Sequence, residues 1–522
     1  MNCLNRAGSV LRLFFAPLLS GLVLFFSSPG PMGNGILAWV ALIPLLWASN
    51  KVTPKRAACL GLVTGLVYYT LLLSWILIVL GTYGHLSLWV SIPALLLLSL
   101  YMSLYTALFS AGLSWSAGTV PGLWAAPVLW VALDLVRSRL FSGFPWQDLA
   151  YSQYNSPILI QSADLIGHHG ITFLIVLVNG IIFAIFSFLF QKKGATNRLI
   201  LPAVLLVGAA FSYSFLRYNQ MAEVVNSADT ITVAVIQGNI NQDQKWVPGL
   251  QKDTVQSYLR LSESAISEQK IDMVVWPETA MPFYPMESPL FSGLVDRLAK
   301  KNGIFLLTGA PHREFSPDLT STRYFNSAFL ITDTGDVTGR YDKQHLVPFG
   351  EYIPLKNIFP LPGPLVETIG DFTPGTFREP ISCRNAKIGV LICYESIFPE
   401  LVRVQAAGGA NFLVNLTNDA WFGRSGAPWQ HFSMAVFRSV ETRTSLARAA
   451  NTGISGFVDP LGRLSEISPL FEPYFLIKKV SLLEEETFFV TFGHWFATLC
   501  LILLLPGFIL VRQLKNSKVQ GD

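Results

Sequence analysis

The chain has 522 residues, 51% of them hydrophobic and only 13% charged, with 37 Lys and Arg against 33 Asp and Glu for a formal charge of +4. Soluble domains carry about 25% charged residues, so this composition excludes an ordinary soluble globular protein. So small an excess of positive charge, sitting in loops beside apolar segments, calls for no nucleic-acid partner.

The charges are sparse up to about Tyr218, ordinary from Asn219 to about Glu486, and sparse again until the last ten residues. That layout predicts an α-helical transmembrane bundle interrupted by a polar α/β domain: residues 1–218 with helices 1 to 7, 219–486 as the polar domain, and 487–522 as a last helix and tail. Crossing a bilayer takes about 20 apolar residues. Eight stretches offer them: Val10 to Phe26, Ile36 to Ser49, Ala57 to Leu80, Leu88 to Leu113, Val120 to Val136, Ile171 to Leu189, Ile200 to Leu216 and Phe488 to Leu510. The second is short and the fifth carries Asp134.

Lys and Arg in short loops hold those loops in the cytoplasm. The basic clusters are Arg6 and Arg12; Lys51, Lys55 and Arg56; Lys192, Lys193 and Arg198; and Arg512, Lys515 and Lys518. With eight spans all four fall on one side, which predicts both termini inside and the polar domain outside; Arg137 and Arg139 run against the rule. The first apolar run is predicted to be retained, because no A-x-A-like cleavage site follows in FFSSPGPMG. Gly61 and Gly65 form a G-x-x-x-G, a signature of close helix packing. Phe144, Pro145 and Trp146, in a long loop, read as an aromatic segment dipping into the interface.

From Ile231 the pattern changes to short β-branched runs alternating with amphipathic stretches. ITVAVIQG (231–238), MVVWPE (273–278), IFLLTGA (304–310), KIGVLIC (387–393), FLVNLT (412–417) and GFVDP (456–460) read as strands. Leu250 to Glu268, Pro289 to Lys301, Pro399 to Ala407 and Gln430 to Ala450 read as helices, and residues 324–343 as a hairpin turning on Asp333, Thr334 and Gly335. Strands apolar on both faces need cover on both sides, so layered sheets flanked by helices are expected.

Three of these strands end on an ionisable residue: Glu278, Lys343 and Cys393. Residues at separate strand ends can meet in one crevice. A thiol with a pKa near about 8.5 needs a base to take its proton and a positive field to favour thiolate, roles that suit Glu278 and Lys343. Each residue alone also has a structural reading: a buried hydrophobe for Cys393, a solvated turn for Glu278, a surface pair with Asp342 or Asp336 for Lys343. Of five cysteines, Cys3, Cys59 and Cys500 lie in or near the bilayer stretches, whereas Cys383 and Cys393 share the outer domain, where a disulfide is possible. No two of the seven histidines show H-x-x-x-H or H-E-x-x-H spacing and no glycine loop cradles phosphate, so neither metal nor cofactor is expected.

Taken together, VVWPETAMPF, YDKQHLVPFGEYIP, GVLICYESIFPE and NLTNDAWFG resemble the nitrilase superfamily, and the eight apolar spans with FSGFPWQDLAYSQ (141–153) narrow the resemblance to the apolipoprotein N-acyltransferase family. The resemblance implies an αββα sandwich outside the cytoplasm of the bacterial inner membrane and a catalytic triad of Glu278, Lys343 and Cys393. It also implies supporting roles for Trp246, Glu351, Tyr394, Glu395 and Glu441. The implied reaction takes an acyl chain from the sn-1 position of a phospholipid, typically phosphatidylethanolamine, through a Cys393 thioester to the α-amine of an N-terminal diacylglyceryl-cysteine of an apolipoprotein, on a monomer without cofactor.

Pro348 to Pro374, apolar and proline-rich, reads as a mobile lipid-contacting arm or as a crossover packed on the domain. Two other readings remain open on the residues alone. One is a membrane-bound amidase or hydrolase of the same superfamily. The other is a transporter, which needs ionisable residues or broken helices at mid-membrane; Asp134, near a span end, is the one clear candidate.

Overall fold

The computed structural model describes residues 11–117, 122–191, 197–315, 321–354, 371–376 and 379–520. The chain forms two compact units, one from Met1–Leu77, Ser87–Tyr218 and Phe492–Asp522, the other from Ile78–Leu86 and Asn219–Thr491. Residues 355–370, most of the segment read as an arm, lie outside the described residues.

The first unit is helical, with α1 (Ala16–Ser27), α2 (Ile43–Ser49), α3 (Pro54–Leu72), α4 (Leu88–Ser116), α5 (Gly122–Arg137), α6 (Ala163–Gln191), α7 (Asn197–Ser227, running into the second unit) and the final helix Trp495–Gln520. Among the described residues four helices are long and apolar enough to cross a bilayer: Leu88–Ser116, Ala163–Leu189, Leu199–Ser227 and Trp495–Leu514. A fifth is reached if Pro54–Leu72 and Ile76–Tyr83 are counted as one broken span, and Leu13–Ser27 and Gly35–Ser49 are shorter apolar helices. α3 starts where Thr53 accepts from the Arg56 amide (3.5 Å) and Pro54 presets the first turn. A Cβ on Gly61 would stand 2.3 Å from the Thr106 carbonyl oxygen, and one on Gly65 2.8 Å from the Ser103 Cα, so the G-x-x-x-G lets α3 lie directly on α4.

Two residues that looked out of place sit inside this unit. Arg137, expected in an outer loop, is in the last turn of α5 and 1% exposed. It pairs with Asp134 (3.1 Å) and with Asp148, and donates to the Trp146 carbonyl (3.1 Å). A guanidinium neutralised by two carboxylates does not act as a loop charge, which accounts for its breach of the charge rule. Trp146, expected at an interface, is 1% exposed, its ring 4.9 Å from that of Trp75 and 5.8 Å from that of Phe144.

The second unit holds two six-stranded sheets. In the first, β12 (Tyr474–Leu482), β1 (Asp229–Gln237), β2 (Met273–Val275), β3 (Phe305–Phe315), β4 (Thr322–Ile331) and β5 (Val337–Asp342) lie side by side in that order. The second runs β11 (Leu464–Ile467), β10 (Gly456–Val458), β9 (Ser445–Ala450), β8 (Phe412–Thr417), β7 (Ala386–Ile392) and β6 (Ile381–Cys383). β1, β2 and β3 are parallel to one another, as are β7, β8 and β9.

Period-two alternation sorts the side chains into layers. Val233, Val235, Leu307 and Leu330 meet Ile388, Val390, Ile392, Val414 and Leu416 in one core between the sheets. Ala234, Ile236, Val274 and Trp276 face Tyr258 of α8 (Gln251–Glu268) and Val295 and Leu298 of α9 (Pro289–Asn302). With α10 (Pro399–Ala407) and α11 (Ala427–Thr442) flanking the second sheet, the layers run helix, sheet, sheet, helix.

The expected helix over Gln430 to Ala450 is corrected: α11 ends at Thr442, Arg443 takes a left-handed φ of 52° with its guanidinium on the Pro460 carbonyl (2.9 Å), and the rest is β9. SLARAA favours a helix by local propensity, but pairing between β8 and β10 outweighs a few tenths of a kcal/mol per residue. No disulfide joins Cys383 to Cys393; Cys59, Cys383, Cys393 and Cys500 are free. Cys383 pairs with Ala386 at the start of β7 and Cys393 follows its far end, roughly 20 Å away at about 3.3 Å per residue, well beyond disulfide reach.

Removing one partner of a buried ion pair strands the others. Arg137→Met should therefore lower the stability of the detergent-solubilised chain by about 3 to 5 kcal/mol, seen as a marked drop in the thermal midpoint; an unshifted midpoint would show that Asp134 and Asp148 do not need the guanidinium.

Candidate active site

Glu278, Lys343 and Cys393 come from three strand ends and from both sheets. Glu278 follows β2 by way of Trp276 and Pro277, with its carbonyl held by the Lys245 ammonium at 3.0 Å. The loop lies hard against Gly309 of β3: a Cβ there would be 2.5 Å from the Thr279 nitrogen and 2.7 Å from the Glu278 Cα. Only glycine leaves room for the backbone that carries the carboxylate. Glu278 is 7% exposed; Oε1 accepts from Asn326 Nδ2 (2.8 Å) and lies 3.6 Å from the Lys343 ammonium, while Oε2 has no hydrogen-bond partner among the described residues.

Lys343 stands one residue past β5, its amide donating to the Asn326 carbonyl (2.8 Å) and its ammonium to Glu351 Oε1 (2.8 Å). Asn326 Nδ2 also donates to Glu351 Oε1 (3.0 Å), and Glu351 Oε2 accepts from the Val347 amide (2.8 Å). Burial alone would drive Lys343 toward its neutral form, but the Glu351 and then the Glu278 carboxylates outweigh it and hold the ammonium well above the usual lysine range. The site therefore carries a permanent cation.

Cys393 directly follows β7 with a φ of 52°, a left-handed backbone that is strained for any residue but glycine. This sharp turn throws the thiol past the sheet end into a single 3-10 turn, Cys393–Ile397. Its carbonyl accepts from Ser396 Oγ (3.1 Å), His431 Nε2 (3.1 Å) and Asn415 Nδ2 (3.4 Å). Burial, followed by the Glu278 charge, pushes the Cys393 thiol up, and Lys343 opposes them only in part. The resting sulfur is protonated.

Glu395 ties the two sheets together at this point. Its Oε2 accepts from the Ile392 amide (2.7 Å) beside Cys393, and Oε1 accepts from the Tyr341 hydroxyl (3.0 Å) and the Gln344 (2.6 Å) and His345 (3.2 Å) amides next to Lys343. Burial raises its pKa to about 7 against the backbone N–H groups that favour the carboxylate. Tyr394 packs edge-on against Phe398, with ring centres 5.0 Å apart.

Of the other expected residues, Glu441 is buried in an ion pair with Arg438 (3.0 Å) on α11. Trp246 is half-buried just after the Gln242–Lys245 turn, and it is the neighbouring Lys245 whose ammonium reaches Glu278.

Sequence reasoning missed Asn326, Lys245 and the layer behind Cys393. There Asp419 accepts from Arg448 (2.9 Å), and Arg448 also donates to His431 Nδ1 (2.9 Å). His431 Nδ1 also lies 3.1 Å from Asp419 Oδ1, and Nε2 lies 3.1 Å from the Cys393 carbonyl oxygen, so the ring stands between the Asp419–Arg448 pair and the Cys393 turn. Burial and then the Arg448 charge push the His431 pKa down, with Asp419 opposing them. Asn415 and Asp419 lie inside NLTNDAWFG, but nothing local in the sequence joins them to His431 or Arg448.

Residues 20–181 match the family model "Apolipoprotein N-acyltransferase N-terminal domain", and residues 232–483 match "Carbon-nitrogen hydrolase". The chain is 42% identical to an apolipoprotein N-acyltransferase of Geobacter metallireducens, over 94% of this chain and 93% of that protein. It is 32% identical to the one from Pasteurella multocida, over 97% of each.

Gly309→Ala should displace Glu278 and slow the chemistry by about tenfold or more, as misplacement of a reacting group does, while leaving the melting curve cooperative; full activity would show that the loop can yield. Because the Cys393 thiol is pushed up, its alkylation by iodoacetamide should keep rising with pH beyond about 9, the range where an ordinary thiol has levelled off. A plateau near neutral pH would reveal a resting thiolate paired with Lys343.

Proposed function

The chain belongs to the apolipoprotein N-acyltransferase family and N-acylates lipoproteins, drawing on a lipid substrate, and we propose that it does so through a thioester on Cys393. What carries this reading is the convergence of Glu278, Lys343 and Cys393 from three strand ends onto one buried network whose cation is held charged.

In the first half-reaction Glu278 Oε2 takes the thiol proton as Cys393 Sγ attacks the carbonyl carbon of the sn-1 ester of a phospholipid, phosphatidylethanolamine being the donor expected. The tetrahedral oxyanion is stabilised by the Lys343 ammonium and by backbone N–H groups following Cys393; donors of this kind are worth about 3 to 4 kcal/mol each. Collapse breaks the ester C–O bond, and the proton held by Glu278 goes to the departing lysophospholipid oxygen.

In the second half-reaction the α-amine of an N-terminal diacylglyceryl-cysteine attacks the thioester carbonyl and gives up its proton to Glu278. The C–S bond breaks, the amide forms, and the sulfur recovers a proton. Glu351 and Asn326 hold Lys343 and Glu278 in place, Glu395 holds the nucleophile turn to the lysine, and Trp246, Tyr394 and Glu441 serve as further supporting residues. No cofactor is needed.

Both substrates are anchored by acyl chains, and drawing one into water costs about 0.8 kcal/mol per CH2. That cost supports a reading of the helical unit as an eight-span bundle in the bacterial inner membrane, with both termini cytoplasmic and the sheet-containing unit, residues 219–486, in the periplasm; the chain works as a monomer. A thioester must also outlast the wait for the amine, which calls for a site that keeps water out.

In vesicles carrying phospholipid labelled in the sn-1 chain and no acceptor, the purified chain should accumulate a stable, hydroxylamine-labile acyl group on the Cys393 peptide. A diacylglyceryl-cysteine peptide should then draw the label off as amide. Cys393→Ala should melt normally and take up no label. Rapid release as free fatty acid would make the protein a membrane-bound hydrolase instead.

A further inference from the structure

Four side chains that the acyl transfer does not use meet inside the helical unit. Asp148 comes from the loop after α5, His168 and His169 from the start of α6, and His494 from the residue ahead of the final helix. The Asp148 Oδ2 atom is 2.9 Å from His168 Nε2 and 4.0 Å from His169 Nε2, and one ligand atom from each of the three lies within 4.8 Å of the others. All three side chains are at most 2% exposed. The imidazole centres are 4.0 Å apart for His168 and His169, 5.2 Å for His169 and His494, and 6.1 Å for His168 and His494.

Those separations have a metal-like scale. With Zn–N near about 2.0 to 2.1 Å and ring centres roughly 1 Å further out, imidazoles at a tetrahedral angle lie roughly 5 Å apart, which the three observed values bracket. α6 is broken at Gly167, with a φ of 63° and non-helical ψ, immediately before the histidine pair, so the break sets the direction in which His168 and His169 leave the preceding turn.

The surroundings orient the carboxylate. Arg137, shared with Asp134, engages Asp148 Oδ1, so Oδ2 is the oxygen presented to the histidines, and the Tyr151 ring stacks on His168 at 5.1 Å. Arg137 is thus shared between two carboxylates, and the second Asp148 oxygen is left to the imidazoles.

We propose that Asp148, His168 and His169, with His494 as the fourth ligand, form a structural site for a zinc-type divalent cation. Imidazoles with one carboxylate are the donor set such an ion takes. The site pins together three segments remote in sequence, at a place where Trp495 Nε1 already donates to the Leu165 carbonyl (2.8 Å). Motif spacing could not reveal it, because two ligands are adjacent and the other two are distant. The inference stands independently of the acyl-transfer reading.

The test uses full-length chain without a histidine tag, stripped with a chelator, equilibrated with Zn2+ and desalted. Elemental analysis should find about one zinc per chain, retained by Cys393→Ala and lost by the His168→Gln, His169→Gln double variant. Zn2+ should raise the thermal midpoint of the stripped wild-type chain and leave that of the double variant unchanged, and Co2+ should give the strong visible absorption of a tetrahedral site. Should the double variant fail to fold, His494→Gln should still bind zinc at least about tenfold more weakly in a dye competition. Stripped wild-type chain that retains no metal, as a simple Asp148 to protonated His168 ion pair would give, overturns the proposal. So does a folded double variant that binds as well as wild type.

Discussion

A lysine buried from water keeps its charge only when the surrounding carboxylates repay the lost solvation, and here that condition is met around Lys343. Glu351 lies at 2.8 Å and Glu278 at 3.6 Å, with Asn326 bridging the two acids. The network divides labour between the carboxylates. Glu351 accepts from the ammonium, Asn326 and the Val347 amide and so serves as the counter-ion. Glu278 keeps Oε2 without a hydrogen-bond partner among the described residues, an arrangement that suits an oxygen meant to receive a proton.

The strained backbone at Cys393 is the second half of this arrangement. A left-handed non-glycine residue persists only where its surroundings overdetermine it. The Cys393 carbonyl is held by Ser396, His431 and Asn415, and Glu395 anchors the turn to the strand end bearing Lys343. Arg448 donates to Asp419, and this pair borders His431 Nδ1, so the ring is held between the ion pair and the Cys393 carbonyl. The position of the thiol therefore rests on groups several residues removed from sulfur.

The same bookkeeping of buried charge applies in the helical unit, with a different outcome. Arg137 is shared by Asp134 and Asp148, and the remaining Asp148 oxygen is turned toward a pair of histidines. In the polar unit the second carboxylate on the cation, Glu278, acts on the Cys393 thiol. In the helical unit the second carboxylate faces imidazoles.

The sequence alone determined the division into apolar and polar regions, because hydropathy and charge are counted residue by residue. It also determined most strands of the polar unit and the three strand-end residues, because period-two burial and an abrupt stop on Glu278, Lys343 or Cys393 are local signals. Local signals failed where partners were distant. SLARAA became β9 because strands stood on either side of it, and Arg137 left its expected loop because Asp134 and Asp148 drew it inside. Asn326, His431 and Arg448 carried no pattern at all, since a hydrogen bond between residues far apart in the chain exists only once both strand ends are in place. Which residues could do chemistry was written in the chain. Which of them face one another, and with what charge, was decided by packing, because electrostatic coupling depends on distances and burial that only the folded chain possesses.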